Sequence, residues 1–373
     1  DKREINDLKV TLGKNLLEYS SGVENIKTER PAKSPENGDP DSAEHLFLLA
    51  EDMYAMRDFS KALNYYLKCL EKEPSHMRAL YKAAETEVRM CRYQKAEDYA
   101  KKILEKNTYD AGGNFILGLI NRRLGKTDQA EEAFSIASRT MEFRTGSYIQ
   151  IAEGRLIKGD FTGASEFARK ALDYNRISVP AREILIISCR KLKKQAESER
   201  NIEELLEIDP LNHFARFEKY LFNPSPASLN DFKSLIRNEL PHETYLELAA
   251  DYVNRGLNDD AARLLEESPS NPIVLYWLAW LKKDTDSRQS TQLLQEAMDL
   301  SPFLVFPFRH ETIEVLGWAL EKNDFWKTRY YLGLIYWHIK RPEKALELFN
   351  QCGNAPDYAP FYIARGILSQ LAN

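Results

Sequence analysis

The chain has 373 residues, with 43% hydrophobic and 29% charged. That is too long for one comfortable core and too apolar for a disordered chain, so several domains or a repeat array is expected. A formal net charge of -5 and a pI near 5.9 exclude the basic footprint that nucleic acid requires, and the longest apolar runs, such as Ile184-Leu185-Ile186-Ile187, are too short to span a membrane.

In residues 1–20, Leu8, Val10 and Leu12 alternate with polar neighbours, Gly13 interrupts, and Leu16, Leu17 and Tyr19 follow. This predicts strand–turn–strand. Two strands alone are marginal in water, so they are expected to be the remnant of an upstream β-rich region or to pack on the first helix. Residues 21–41, with Pro31, Pro35, Gly38 and Pro40 among many charges, read as a linker. The chain opens at Asp1 with neither methionine nor signal-peptide core, so a fragment or processed product is expected. Cytoplasmic placement is the expectation, with any signal peptide lying upstream.

From Ala43 a period sets in. Ala62, Ala96, Ala130 and Ala164 recur at the 34-residue spacing of tetratricopeptide repeats. Each is small where a second helix crosses the first. Repeat three adds Leu117, Gly118, Phe134 and Ala137 in frame, and residues 42–212 read as a regular array. Residues 213–302 read as irregular repeats, because Asn223-Pro224-Ser225-Pro226 interrupts repeat six and displaces its second helix to about 227–239. A bend or two sub-arrays is expected between 164 and 271. Residues 303–373 hold a helix over about 309–322, a clean repeat with Leu332, Gly333, Tyr336, Ala345 and Phe349, and a capping helix over about 358–371. The fold class is therefore an all-α solenoid of tetratricopeptide type with a short N-terminal β segment. Resemblance to tetratricopeptide proteins implies a right-handed superhelix with first helices lining the concave face.

Signals for catalysis are missing from the sequence. Six histidines lie far apart, four cysteines (Cys69, Cys91, Cys189 and Cys352) form no Cys-x-x-Cys pair, and Gly112-Gly113 lacks the lysine of a phosphate loop. No catalytic, cofactor-binding or metal-ligating residue is assigned, and no cofactor is expected.

The resemblance instead implies a partner-binding concave face for a protein or peptide. Its positions map onto Phe47, Glu51 and Tyr54 in repeat one, and Arg78, Tyr81, Glu85 and Arg89 in repeat two. Phe115, Arg122 and Arg123 follow in repeat three, Ile149 and Glu153 in repeat four, and Arg190 and Lys191 in repeat five. Aromatics among both charge signs suit an extended peptide. The same positions read equally well as the wet side of amphipathic helices. Phe47 and Glu51 stand where a chaperone-tail clamp carries lysine and asparagine, which argues against that partner. A second feature is aromatic density from Phe303 to Trp337. Core packing is the favoured explanation, with Trp337 and His338, on the inner face, as candidate carbohydrate contacts.

Val305-Phe306-Pro307-Phe308-Arg309, Trp326-Lys327, Tyr330-Tyr331-Leu332 and Ala359-Pro360-Phe361-Tyr362 resemble phrases of a bacterial family. In that family a β-sandwich region similar to galactose-mutarotase-like folds precedes a tetratricopeptide array. The resemblance implies the C-terminal part of a larger carbohydrate-related protein and transfers no catalytic residue. The expected function is an interaction scaffold for a peptide, a partner protein or its own upstream domain. The alternative is an accessory part of a carbohydrate-processing enzyme.

Overall fold

The computed structural model describes residues 9–13, 17–20, 39 and 41–371. The first strand pair is present: β1 (Lys9–Leu12) runs antiparallel to β2 (Leu17–Ser20), Val10 lies opposite Tyr19, and Gly13 turns at φ 65°. Most of the expected linker, 21–38 with 40, lies outside the described residues.

After Ser42 the described residues form helices, mostly in pairs. The first limb comprises α1 (Ala43–Ala55), α2 (Phe59–Lys72), α3 (Met77–Arg89), α4 (Tyr93–Lys106), α5 (Ala111–Arg123), α6 (Thr127–Ala137), α7 (Met141–Ile157), α8 (Phe161–Tyr174), α9 (Val179–Lys191) and α10 (Gln195–Ile208). A short pair, α11 (His213–Phe222) and α12 (Pro226–Ser234), follows. The second limb comprises α13 (Pro241–Asn254), α14 (Asn258–Glu266), α15 (Pro272–Lys282), α16 (Ser287–Asp299), the single helix α17 (Thr312–Lys322), α18 (Trp326–His338), α19 (Pro342–Gln351) and α20 (Ala359–Leu371). This is an all-α repeat solenoid.

Two local rules build each pair. The fourth residue of the second helix is Ala62, Ala96, Ala130, Ala164, Ser198, Ala261, Ser290 or Ala345, all buried, so the two axes can approach. In most pairs the turn between the two helices contains one left-handed residue, and Arg57, Cys91, Gly125, Gly159 and Lys193 take that conformation at the repeat spacing, while the α11–α12 and α15–α16 turns do without one. Aromatic rings then fill the space left by small partners. A Cβ on Gly118 would lie 2.6 Å from the Phe134 ring, and the same relation joins Gly333 to Phe349.

The pair α11–α12 breaks the first rule, placing Leu229 at the fourth position. Its second helix also ends at Ser234 rather than near 239, because the Ile236 N–H closes a turn on the Lys233 carbonyl and Pro241 opens the next helix. Likewise α17 starts at Thr312 rather than 309, after a turn in which the Thr312 N–H donates to the Arg309 carbonyl. Beyond α11–α12 the solenoid doubles back, bringing the second limb against the first. Gly256, at φ 75°, packs on the backbone of Ile157, so closely that a Cβ would meet its Cα at 3.1 Å. One hydrophobic cluster runs from Ala152 to Leu368, whereas the earlier repeats hold three smaller, separate ones.

Candidate functional site

First helices of the early repeats line a groove of about 450 Å³ whose wall includes Phe47, Glu51, Arg78, Tyr81, Lys82 and Phe143. Tyr81 lies against α5 at Gly112, where any Cβ would come within 2.8 Å of its ring. On its other side Tyr81 meets Phe143 edge-on at 5.6 Å, and Phe143 in turn contacts Phe115 at 5.4 Å. Burial pushes the Tyr81 and Tyr54 hydroxyls well above the usual phenol range, with Glu85 adding to both. Both therefore remain neutral donors at physiological pH.

A polar cluster closes one end of this groove. Arg89 Nε donates to the Tyr54 hydroxyl at 2.7 Å, Arg89 reaches Glu85 at 3.3 Å, and Lys82 reaches Glu85 at 3.1 Å. Burial opposes ionisation of Glu85, yet Tyr54, Lys82 and Arg89 together hold its pKa below the ordinary value. Arg78 stays exposed at the rim, its guanidinium 4.3 Å from the centre of the Phe47 ring.

The expected inner-face residues thus separate into three groups. Tyr54, Arg78, Tyr81, Arg89 and Phe115 meet around the groove. Phe47 reaches the same wall but is 1% exposed and packs on Tyr66 and His76, so it is a floor rather than a contact. Arg122 and Arg190, also expected on the partner-binding face, are engaged by carboxylates of this chain. Arg122 donates to Glu153 at 2.6 Å. Arg190 grips Glu218 through Nε at 2.6 Å and Nη2 at 2.9 Å, and also reaches Asp260 at 2.9 Å.

These arginines belong to a buried network that joins the two limbs. Tyr252 donates to Glu218 at 2.8 Å, Lys191 pairs with Asp260 at 2.8 Å, and Arg255 donates to Glu183 at 2.6 Å while lying 3.8 Å from Glu153. Carboxylates outnumber cations near Arg255. Burial pushes Asp251 up to about 6 despite Arg255, and Glu183, Glu247 and Glu153 push in the same direction. Arg255, Glu183 and Asp251 carry no sequence signal of this role, since their partners lie far away along the chain.

Nearer the open ends the limbs touch more lightly. Arg92 Nη2 donates to the Lys340 carbonyl at 2.8 Å, and Arg123 donates to Asn254 Oδ1 at 3.2 Å. Trp337 lines an inter-limb cavity of about 390 Å³ beside Arg92. With His338 it also lines an outer groove of about 480 Å³ that includes Phe306 and Phe308. Of the aromatics from Phe303 to Trp337, Trp326, Tyr330 and Tyr331 are buried, and Trp318, Phe325, Tyr336 and Trp337 are half-buried against the same cluster. Phe303, Phe306 and Phe308 are exposed, at 68%, 57% and 42%. Among the described residues, no cluster of His, Cys, Asp and Glu could hold a metal ion, and no helix is long and apolar enough to cross a membrane.

Fold and groove together define a tetratricopeptide-like helical repeat. A family model described as the TT21 fifth ARM repeats domain matches residues 43–153. No curated protein matches the chain. Similar solved structures include a tetratricopeptide repeat protein from Parabacteroides merdae ATCC 43184, 16% identical, with 74% of this chain and 98% of that one covered at a TM-score of 0.44. PilF of Pseudomonas aeruginosa is 14% identical over 59% of this chain and 96% of its own, at a TM-score of 0.46. YrrB, described as a TPR protein with an unusual peptide-binding site, is 18% identical over 48% of this chain and 93% of its own, at 0.38.

Proposed function

We propose that the chain is a protein-interaction scaffold whose first limb holds an extended peptide segment in the groove across α1, α3, α5 and α7. The observation that carries this reading is the groove itself, an open space of about 450 Å³ where aromatic walls alternate with charges of both signs. Tyr81 and Phe143 supply rigid contact area at small entropic cost, and Arg78, Lys82 and Glu142 set the register of a bound segment. A backbone in extended form presents alternate side chains, which suits walls spaced along successive first helices.

The test is an array of extended peptides probed with the full chain, followed by calorimetry on the strongest binder. Arg78→Glu and Tyr81→Ala should each weaken that binding about tenfold or more, while Phe306→Ser on the far groove leaves it unchanged. Equal affinity for parent and both groove variants, with circular dichroism unaltered, would remove the reading.

A second reading rests on the exposed rings of Phe306 and Phe308 beside Trp337. Such rings can stack on sugar faces, which would make this outer groove a carbohydrate contact of a larger assembly. Titration with neutral oligosaccharides, followed by tryptophan fluorescence, should then give a saturable change lost in Trp337→Ala. A flat titration eliminates this second reading and leaves the peptide groove untouched.

A further inference from the structure

The groove of the first limb carries more acid than base. Its wall holds four carboxylates, Glu51, Glu85, Asp110 and Glu142, against two cations, Arg78 and Lys82. Both cations already have partners in this chain. Lys82 reaches Glu85 at 3.1 Å, where Arg89 also arrives at 3.3 Å, and Arg78 lies 3.5 Å from Glu44. Glu51 accepts from the Tyr66 hydroxyl, and one oxygen of Asp110 caps α5 by accepting from the Gly113 N–H at 2.8 Å. Among the described residues, Glu51, Asp110 and Glu142 pair with no cation.

The chain itself shows how such a carboxylate is met. Glu44, second residue of α1, and Phe47 in the next turn together hold Arg78, with its guanidinium 4.3 Å from the centre of the Phe47 ring. At the start of α7 the same two groups recur: Glu142 is again the second residue of the helix, and Phe143 follows it. Both line the groove, and no cation of the described residues fills the place that Arg78 takes on α1. Arg144, the nearest in sequence, donates to the Ser138 and Arg139 carbonyls and lies 4.9 Å from the Tyr174 ring. Glu142 is close enough to help push the Tyr81 hydroxyl upward, so carboxylate and rings border one space. A ring face beside an open carboxylate attracts a cation twice over, through the ring quadrupole and through charge.

We propose that the extended segment held in this groove is basic, and that one of its lysine or arginine side chains seats on Phe143 with its charge against Glu142. This rests on the peptide-groove reading and names the chemistry of the partner. Asp110, on the same wall, adds to the attraction, and the acid surplus of the groove speeds encounter with a basic segment over an acidic one. Arg78 at the α1–α3 end keeps its part in the register. The open carboxylates at the α5–α7 end set which way round the segment lies.

The experiment uses the full chain and the strongest array peptide whose binding Tyr81→Ala weakens. Calorimetry compares that peptide with versions in which each lysine or arginine is replaced by glutamine, and then by glutamate. One basic position is expected at which glutamine weakens binding about tenfold or more. Glu142→Lys should weaken the parent peptide at least as much and should restore binding of the peptide carrying glutamate at that position. Glu142 is exposed, so this charge exchange leaves the fold intact, which circular dichroism checks. A groove-dependent peptide indifferent to the loss of every lysine and arginine overturns the proposal, as does full affinity of the parent peptide for Glu142→Lys. Either result leaves the peptide groove standing. If no peptide is weakened by Tyr81→Ala, the groove reading itself falls and takes this proposal with it.

Discussion

The two limbs obey the same helix-pair rules but are held together differently. In the early repeats small residues such as Ala84, Ala96 and Ala100 carry much of the packing, with few large rings such as Phe47, Tyr66 and Phe134 among them, and the apolar clusters stay local to neighbouring pairs. In the later repeats Tyr276, Trp277, Tyr330, Tyr331, Phe349 and Phe361 interlock, and one cluster passes from α7 through to α20. Small residues allow close helix approach but bury little area each, whereas large rings bury far more and couple pairs beyond their nearest neighbours. The difference teaches where function can reside. A limb with a thin local core keeps aromatic side chains such as Tyr81 and Phe143 on its inner face, whereas the second limb packs its helical rings and exposes Phe303, Phe306 and Phe308 on the connection between α16 and α17.

The comparison is broken most severely at Phe361. This fully buried ring of α20 packs on Trp326, Tyr330 and Phe349. Phe361→Ala should cost about 3–5 kcal/mol, with amide-exchange protection lost across the whole second limb rather than in α20 alone. Loss confined to α20 would show that the large cluster does not act as one unit.

The inter-limb network responds to pH. Asp251 has its pKa raised to about 6 from 3.8, so between those values the folded state keeps a proton that the unfolded chain has released. Stability contributed by this group is therefore present below the lower value and lost as pH rises through about 6, amounting to roughly 3 kcal/mol. Asp251→Asn should recover up to that amount at pH 7 and nothing at pH 3.5, measured by urea unfolding at both. A variant that destabilises at pH 7 contradicts the placement of Asp251 among Glu153, Glu183 and Glu247.

Overpacking the first limb is a smaller effect. Ala130→Leu places a branched side chain where α6 crosses α5 and should cost about 1–3 kcal/mol, with exchange changes confined to the neighbouring pairs. An unchanged melting temperature would mean that this crossing is not close. Smallest is Arg123→Ala, which removes the bond to the Asn254 side chain at the limb contact. It should change global stability by less than about 1 kcal/mol while speeding exchange around Asn254, because an exposed polar contact contributes little.

The repeat frame was legible because it rests on local chemistry. Alanines at the crossing, aromatic–glycine pairs and a last helix over Ala359–Leu371 are fixed by residues close in sequence, and the structure has all three. Ser290 was harder to see, since a serine at the crossing is visible only once its hydroxyl is found donating to the Ala279 carbonyl at 2.7 Å. The doubling back was legible only as an interruption at Asn223–Pro226. Its bonds join Arg190 to Asp260 and Arg255 to Glu183, pairs 70 and 72 residues apart. No local pattern announces such pairings, and for the same reason Arg122 and Arg190 read as open inner-face charges when they are internal ones. Phe143 escaped because it sits in the first turn of α7, before the positions at which repeat four was framed.

The doubled-back solenoid is tested most directly by a distance between the limbs. Spin labels at Gln94 and Glu343, exposed positions in the first turns of α4 and α19, sit on the two sides of the Arg92–Lys340 contact. Pulsed electron resonance should give one short, narrow distance distribution for the free chain. A broad distribution reaching to the span of an open superhelix would contradict the closed arrangement, and with it the cavity between the limbs.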